Sequence, residues 1–566
     1  MRNLEDLIRD VGGDGLAQVM VIGLVNLLRA TIGWSMMTMS FANFVPKWCC
    51  LPDNVTASSD QYCNENDNIT DVVFAKKCWL NTTSCSNRVF TSGVRTVVNE
   101  WDLVCERKWM APLTTSIQMG GVMVGAVLAG QLTDLFGRKK TVYLNGVCSA
   151  VFNIIAGFSP VWEMFVVFRF LIGMSIGGFL ASCVPYTTEF ILPSRRAIVS
   201  ILPTFLTGVC LMALVAWLIP DWQMLHWICG SMTIPCLFGY FFIPESLRWL
   251  AVQGRVEEAH KVVEWIARRN RREVPKDTID ILKSVSVKTS STTKRTQPTY
   301  IDIYKGWHLF KSSIILQFSW CALSMCGYGF SFGASAIGTN MYLNIFIFAI
   351  VGVPSFVITS TALQRFGRKK TSIFFLVLSS ACAFGSVAMR LTMSTSDKQV
   401  LAGVVLNVLS RGFINCAWCG ISITTNEIYP TVIRGLGFGA SNVAARVGAV
   451  FAPFAINFED NPIFALGLVG VTLLITATAV IFLDETSGKA MQDTITVPDQ
   501  STNGKNIELK VKQDNGHVII ADGTKGNDIS TISGHVISDE KIACKLVSYV
   551  NFVAIDRKDS VSKHMK

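Results

Sequence analysis

Phe136-Gly137-Arg138-Lys139-Lys140-Thr141 recurs letter for letter as Phe366-Gly367-Arg368-Lys369-Lys370-Thr371, 230 positions further along a chain of 566 residues. A repeat at that distance marks a duplication long enough to hold several helices, and other residue pairs recur at intervals that drift only from 230 to 240. Glu189 with Arg196 answers Glu427 with Arg434, and Glu245-Ser246 answers Glu485-Thr486. Half of the residues are hydrophobic, only 16% are charged, and mean hydropathy is +0.41, which is foreign to a soluble multidomain chain.

Apolar segments of about 20 residues, the length a helix needs to cross a bilayer, fall near 17–41, 111–133, 141–158, 161–183, 197–219 and 224–243. A second six fall near 309–332, 340–363, 371–391, 400–423, 437–457 and 462–483. The expected fold class is therefore an all-α membrane protein of twelve transmembrane helices in two six-helix halves, residues 1–244 and 309–486. Helices are required because backbone groups in hydrocarbon must pair within their own segment, and the glycine content suits close helix packing. Acidic residues precede the first apolar run and its length keeps it in the membrane, so no cleavable signal peptide is expected.

The basic segment 245–308, with Arg268, Arg269, Arg271 and Arg272 clustered, belongs in the cytosol by the positive-inside rule, as do both termini. Residues 42–110 then lie outside. They hold Cys49, Cys50, Cys63, Cys78, Cys85 and Cys105, a set suited to disulfides whose pairing the sequence leaves open. The same loop carries the glycosylation sequons at Asn54, Asn68 and Asn81. The net charge of +10 fits basic cytosolic loops and calls for no nucleic acid.

The run Gly130-Gln131-Leu132-Thr133-Asp134-Leu135-Phe136-Gly137-Arg138-Lys139-Lys140 resembles the loop between spans two and three of the major facilitator superfamily. Three further stretches resemble solute carrier family 22, the organic cation, anion and carnitine transporters: Glu100-Trp101-Asp102-Leu103-Val104-Cys105, Pro244-Glu245-Ser246-Leu247-Arg248-Trp249-Leu250, and Glu427-Ile428-Tyr429-Pro430-Thr431. The likeness covers roughly residues 15–490. Sugar porters share some of these elements but lack the large cysteine-rich outer loop. The resemblance implies a plasma-membrane, multi-pass transporter working by alternating access about a midplane site. Its partners are the lipid bilayer and a small organic ion, with the coupling ion or exchange substrate left open. A sugar-porter-like transporter and a nontransporting sensor or receptor are the other readings.

Gly130, Asp134, Gly137, Arg138, Glu189, Arg196, Glu427 and Arg434 are the gating candidates. Gly130 permits close packing of span two, Asp134 meets a helix N-terminus or an arginine, and Arg138 locks the cytosolic ends of the halves. Glu189 pairs with Arg195 or Arg196, and Glu427 with Arg434, in ion pairs that break and reform. In the second copy Ser360 replaces the glycine and Gln364 the aspartate, which makes it the weaker clamp.

Charges inside a membrane are costly and face a cavity or a partner. Arg29, Arg169, Arg411 and Arg446 lie within spans. The resemblance implies that cation transporters carry aspartate where Arg446 stands, whereas anion and carnitine transporters carry arginine. It also implies an acidic residue where Gly352 stands, and the anion transporters' lysine where Phe356 stands. The substrate-binding candidates are Arg446, Arg29, Trp320, Tyr328 and Phe356, suited to organic anions or zwitterions such as carnitine-like compounds, with organic cations the alternative.

Among soluble parts, Val256, Ala259, Val262, Val263 and Ile266 keep helical spacing in the central loop. Residues 284–298 read as a flexible linker, and 487–566 as a disordered tail with an apolar stretch at 546–555 too short to span. No Walker sequence, Gly-x-Ser-x-Gly, His-Glu-x-x-His or dinucleotide fingerprint appears, and six histidines form no metal constellation. No enzyme, catalytic residue, cofactor or metal site is expected.

Overall fold

Phe136 ends one helix and Arg138 begins the next, with Gly137 alone between them at φ 103°; Gly367 repeats the arrangement at φ 88°. Only glycine adopts such angles without strain. A side chain would also collide there, since a Cβ on Gly137 would sit 2.5 Å from Glu245 Oε2 and one on Gly367 2.9 Å from Glu485 Oε2. The repeated hexapeptide is thus a one-residue break between two long helices, built twice.

The computed structural model describes residues 4–46, 48–51, 74–75, 78–80, 83–84, 87–90, 93–192, 204–292, 299–333, 340–392, 397–430, 433–456, 461–486, 510–514 and 517–521. Among these, twelve long helices follow in order. The first half holds α1 (Leu16–Ala42), α2 (Met110–Phe136), α3 (Arg138–Ala156), α4 (Trp162–Thr188), α5 (Thr204–Leu218) and α6 (Trp222–Leu237). The second holds α7 (Trp307–Phe332), α8 (Met341–Phe366), α9 (Arg368–Leu391), α10 (Asp397–Ile428), α11 (Arg434–Ala455) and α12 (Pro462–Ile481). Nine are long and apolar enough to cross a membrane by length and composition. The exceptions have local causes: α3 opens on Arg138-Lys139-Lys140, α5 is described only from Thr204, and α11 contains Arg434 and Arg446.

Glycines four apart set the tightest crossing. A Cβ on Gly121 or Gly125 of α2 would lie 2.2 Å from Phe170 O or 2.0 Å from Met174 O of α4. Gly173 and Gly177 of α4 meet Gln118 O and Val122 O at 2.1 and 2.0 Å in return. Small residues with this spacing let helix backbones touch. Gly130, expected to provide close packing, does not: its Cβ would meet no described atom within 4 Å. In the second half Gly448 of α11 meets Cys321 O of α7 at 2.1 Å. The halves meet where α5 packs on α8 and α2 on α11.

The 42–110 loop adds a small antiparallel sheet that the all-α expectation lacked, with Trp48–Leu51 between Phe74–Ala75 and Asn87–Phe90. A Cys78–Cys105 disulfide ties it to the start of α2. Cys49 and Cys50 lie on the central strand, while Cys63, Cys85, Asn54, Asn68 and Asn81 fall outside the described residues. Arg95 braces the loop against the first turn of α6 through Glu100 at 2.8 Å and Gln223 at 2.7 Å, and the Glu100 hydrogen bond raises the arginine's pKa.

Helix Val256–Asn270 buries Ala259, Val262, Val263 and Ile266 and leaves Arg268 exposed, as is Arg271 just past its end. The linker expectation for 284–298 needs correction, because a helix runs Thr278–Thr292 and takes up its first part. In the tail, Lys510–Asp514 pairs antiparallel with His517–Ala521 where disorder was expected, and 546–555 lies outside the described residues.

Candidate functional site

Each one-residue break gathers the same chemistry. Lys139 N and Ser246 N both donate to Glu245 Oε1 at 2.9 Å; in the second half Arg368 N reaches Glu485 Oε1 at 2.9 Å and Lys369 N reaches Oε2 at 3.1 Å. The carboxylate thereby caps the N-terminus of α3 or α9, where unpaired amides and the helix dipole favour negative charge. Ser246 Oγ donates to Glu189, and Thr486 Oγ1 donates to Glu427 Oε2 at 2.5 Å.

The two guanidinium groups differ. Arg368 grips Glu427 with contacts of 3.0 to 3.2 Å from Nε and Nη2. Arg138 is shared: its Nη1 meets Asp134, whose side chain is 71% exposed, while Nε stands 3.5 Å from Glu189, only 14% exposed. A bidentate pair with few exposed atoms is the stronger kind. The second copy, expected to be the weaker clamp, holds its arginine more closely in this conformation. One further expectation is corrected, because Glu427 takes Arg368 where Arg434 was expected. In this conformation Arg138 pairs within its own half, with Asp134 and Glu189. Arg434 Nε instead donates to Tyr429 O at 3.4 Å. Arg195 and Arg196 fall outside the described residues.

Carboxylates occupy only end turns of the twelve helices, at Asp134, Glu163, Asp397 and Glu427, whereas Arg29, Arg169, Arg411 and Arg446 lie in the interiors. Arg169 is 0% exposed and both of its amino groups are met, Nη2 donating to Gln118 Oε1 and to Ser35 O at 3.5 Å and Nη1 to His226 Nε2 at 3.0 Å, while its Nε has no described partner. His226 Nδ1 lies 2.6 Å from Trp222 O, which can only accept, so Nδ1 carries the proton and Nε2 receives the arginine. Gln118 Nε2 completes the network by donating to Met36 O at 3.3 Å.

Arg446, twelve residues into α11, stands about 18 Å from its start; Arg29, thirteen into α1, stands about 20 Å in, so both sit near mid-bundle. Arg446 Nη1 donates to Tyr328 OH at 3.4 Å, and its solvent-shielded Nε has no described partner. Tyr328 OH in turn points to Met36 Sδ at 3.8 Å, and its ring stacks on Phe332 at 5.8 Å. Arg29 Nε is also shielded without a described partner. Arg411 donates to Asn415 Oδ1 at 2.5 Å.

Tyr328 and Arg446 are therefore brought together, with Met36 of α1 across from them. Trp320 is not: it is 4% exposed, its indole N–H donates to Thr425 Oγ1 at 2.9 Å, and it packs on Trp418 and Phe438 in the wall of the second half. Phe356 lies on α8, and its side chain is outside the described set. Gln118, His226 and Asn415 escaped sequence reasoning because neutral polar residues in apolar spans carry no charge signal. The i to i+4 spacing of Arg411 and Asn415 was the available clue.

Contacts joining the halves gather toward the end away from the two glycine breaks. Phe41 stacks on Tyr342 at 5.8 Å, Ser116 Oγ donates to Val450 O at 2.6 Å, and Cys210 Sγ lies 3.9 Å from Phe346 O.

Residues 32–496 match the sugar (and other) transporter family. Solute carrier family 22 member 7 of Sus scrofa is 33% identical over 409 residues, 71% of this chain and 72% of that protein. Organic cation/carnitine transporter 2 of Homo sapiens is 32% identical over 405 residues, 71% of each, and solute carrier family 22 member 16 of Homo sapiens is 30% identical over 406 residues, 70% of this chain and 69% of that protein. Among solved structures, the inward-open xylose transporter XylE from E. coli aligns with a TM-score of 0.59 at 15% identity, covering 84% of this chain and 98% of that one. Its partially occluded inward-open form aligns at 0.58 and 14% identity, covering 84% of this chain and 99% of that one. At such identity these two likenesses speak for the fold alone.

Proposed function

The chain belongs to solute carrier family 22, within the sugar (and other) transporter family, and from that premise we propose that it carries organic anions or zwitterions, carnitine-like compounds included, by alternating access. The carrying observation is Arg446, which meets Tyr328 at 3.4 Å, keeps an unpartnered Nε, and sits in a bundle whose helix interiors contain arginines and no carboxylate. A buried cation without a counter-ion is costly, and a bound anion relieves that cost. A carboxylate takes the Arg446 guanidinium, and the Tyr328–Phe332 stack offers a face to an apolar or cationic remainder. Arg29 adds positive potential from the first half. The relatives' printed names, an organic cation/carnitine transporter among them, keep organic cations as the second reading.

The end bearing the two glycine breaks is the cytosolic one, supported by the exposed Arg268 and Arg271 at the C-terminus of the neighbouring helix. The chain sits in the plasma membrane with both termini inside. Phe41–Tyr342, Ser116–Val450 and Tyr328–Met36 then close the outer side, so this conformation faces inward. The paired Glu–Arg sites act as gates, with Glu189 and Glu427 exchanging partners as the halves rock. Gly130, uncovered here, lies on a face of α2 that the opposite state closes.

Uptake of labelled monocarboxylates, dicarboxylates, carnitine and quaternary amines into cells expressing the chain, with sodium, chloride and pH varied in turn, tests this reading. Saturable uptake of carboxylate-bearing compounds, competed by each other, is the expected outcome. Uptake of quaternary amines alone would overturn it.

A further inference from the structure

We infer that Arg411 and Asn415 of α10, facing Gly352 of α8, form a second anion-binding subsite beside the one at Arg446. The inference rests on the anion-carrying reading above and narrows its substrate class. Arg411 gives Nη1 to Asn415 Oδ1 at 2.5 Å, while its shielded Nε has no described partner. Asn415 Nδ2 is also shielded and unpartnered. With its oxygen engaged by the guanidinium, the amide presents only donors outward, and Nδ2 lies 3.1 Å from where a Cβ on Gly352 would stand. Leu206 Cδ1 of α5 would be 2.5 Å from that same Cβ, so the notch is closed on one side by the other half.

Two unmet donors, one of them cationic, ask for a charged acceptor. Water satisfies the hydrogen bonds and leaves the charge uncompensated; a carboxylate, sulfonate or halide meets both demands. The notch is contiguous with the first subsite, because Arg411 Nη1 lies 3.8 Å from a Cβ built on Gly327, the residue before Tyr328. Tyr328 itself accepts from Arg446. The ligand is an anionic group, either the second acid of a dianionic substrate or a separate small anion bound with it. Glycine at 352 is the specificity determinant, since a carboxylate side chain there would occupy the subsite itself.

Gly352→Glu and Gly352→Gln crowd Leu206 alike and differ only in charge. Uptake by the full chain in proteoliposomes, normalised to inserted protein, should show apparent affinity for a dicarboxylate at least tenfold poorer in Gly352→Glu than in Gly352→Gln. Asn415→Asp, which compensates Arg411 without added bulk, should repeat the loss and decides the matter if the 352 variants do not insert. Replacing chloride with gluconate separates the sources. Chloride-dependent monocarboxylate uptake that Gly352→Glu abolishes identifies a separate anion; a dicarboxylate preference that it abolishes identifies the substrate's second acid. Equal affinities in Gly352→Glu and Gly352→Gln, together with an indifferent Asn415→Asp, overturn the subsite while leaving the Arg446 reading intact. A wild-type chain that takes up no anion overturns both.

Discussion

Arg169 in the first half and Arg446 in the second are both arginines inside the bundle with no carboxylate beside them, yet their surroundings differ. Arg169 spends both amino groups on Gln118, His226 and the Ser35 carbonyl, whereas Arg446 has one long hydrogen bond to Tyr328. The first is a member of a polar network that engages both of its amino groups, leaves only its Nε unmet, and runs on through Ser35 Oγ to Asn153 at 2.9 Å. The second holds donors in reserve. A buried cation satisfied by neutral protein groups reads as architecture, and one left unsatisfied reads as a place for a ligand.

The comparison breaks most visibly in Arg169→Met. Removing the guanidinium orphans Gln118 Oε1 and leaves His226 Nε2 without its donor, at about 1–3 kcal/mol for each unsatisfied buried group. Detergent thermal unfolding and surface expression should fall sharply, while the protein that does insert keeps its apparent affinity. A normal melting temperature with altered affinity would place Arg169 at the substrate instead.

Arg446→Gln should do the reverse. Charge-assisted hydrogen bonds contribute about 1.5–3 kcal/mol, so anion uptake efficiency should drop about ten- to a hundredfold with little change in melting temperature. Tyr328→Phe removes one hydrogen bond from the arginine, charge-assisted but long at 3.4 Å and so about 1 kcal/mol, and should weaken apparent affinity several-fold in the same assay.

The smallest effects on affinity belong to the glycine breaks. Glu427→Gln removes the partner that Arg368 holds through several contacts, and Glu189→Gln a partner that Arg138 shares with Asp134. Both should change maximal transport rate and leave substrate affinity within about twofold, the Glu427 variant more than the Glu189 variant, because surface-shared pairs contribute little. Equal rate changes would mean that the tighter pairing at Arg368 has no part in the cycle.

The twofold architecture was legible because the hexapeptide, the glutamates and the apolar runs each repeat, and because hydrocarbon restricts the backbone to helices. Gly121, Gly125, Gly173 and Gly177 also stood in readable small-residue spacing. Partner choice was harder. Glu427 was matched to Arg434 by nearness in sequence, yet the fold brings Arg368 from another helix, and Trp320 was assigned to the cavity although Thr425 and two aromatic rings hold it in the wall. Distance in sequence and residue type do not report which face of a helix a side chain occupies in an all-round apolar span, where amphipathic periodicity is weak. Arg446 was legible because a charge in such a span stands out whatever its face.

The most direct test is uptake of three labelled ligands of one shape that differ only in bearing an anionic, zwitterionic or cationic head, each measured in wild type and in Arg446→Asp. The account predicts that the wild type ranks anion and zwitterion above cation, and that the substitution abolishes uptake of the anion while that of the cation survives or rises. An unchanged ranking in Arg446→Asp, with normal insertion, would contradict it.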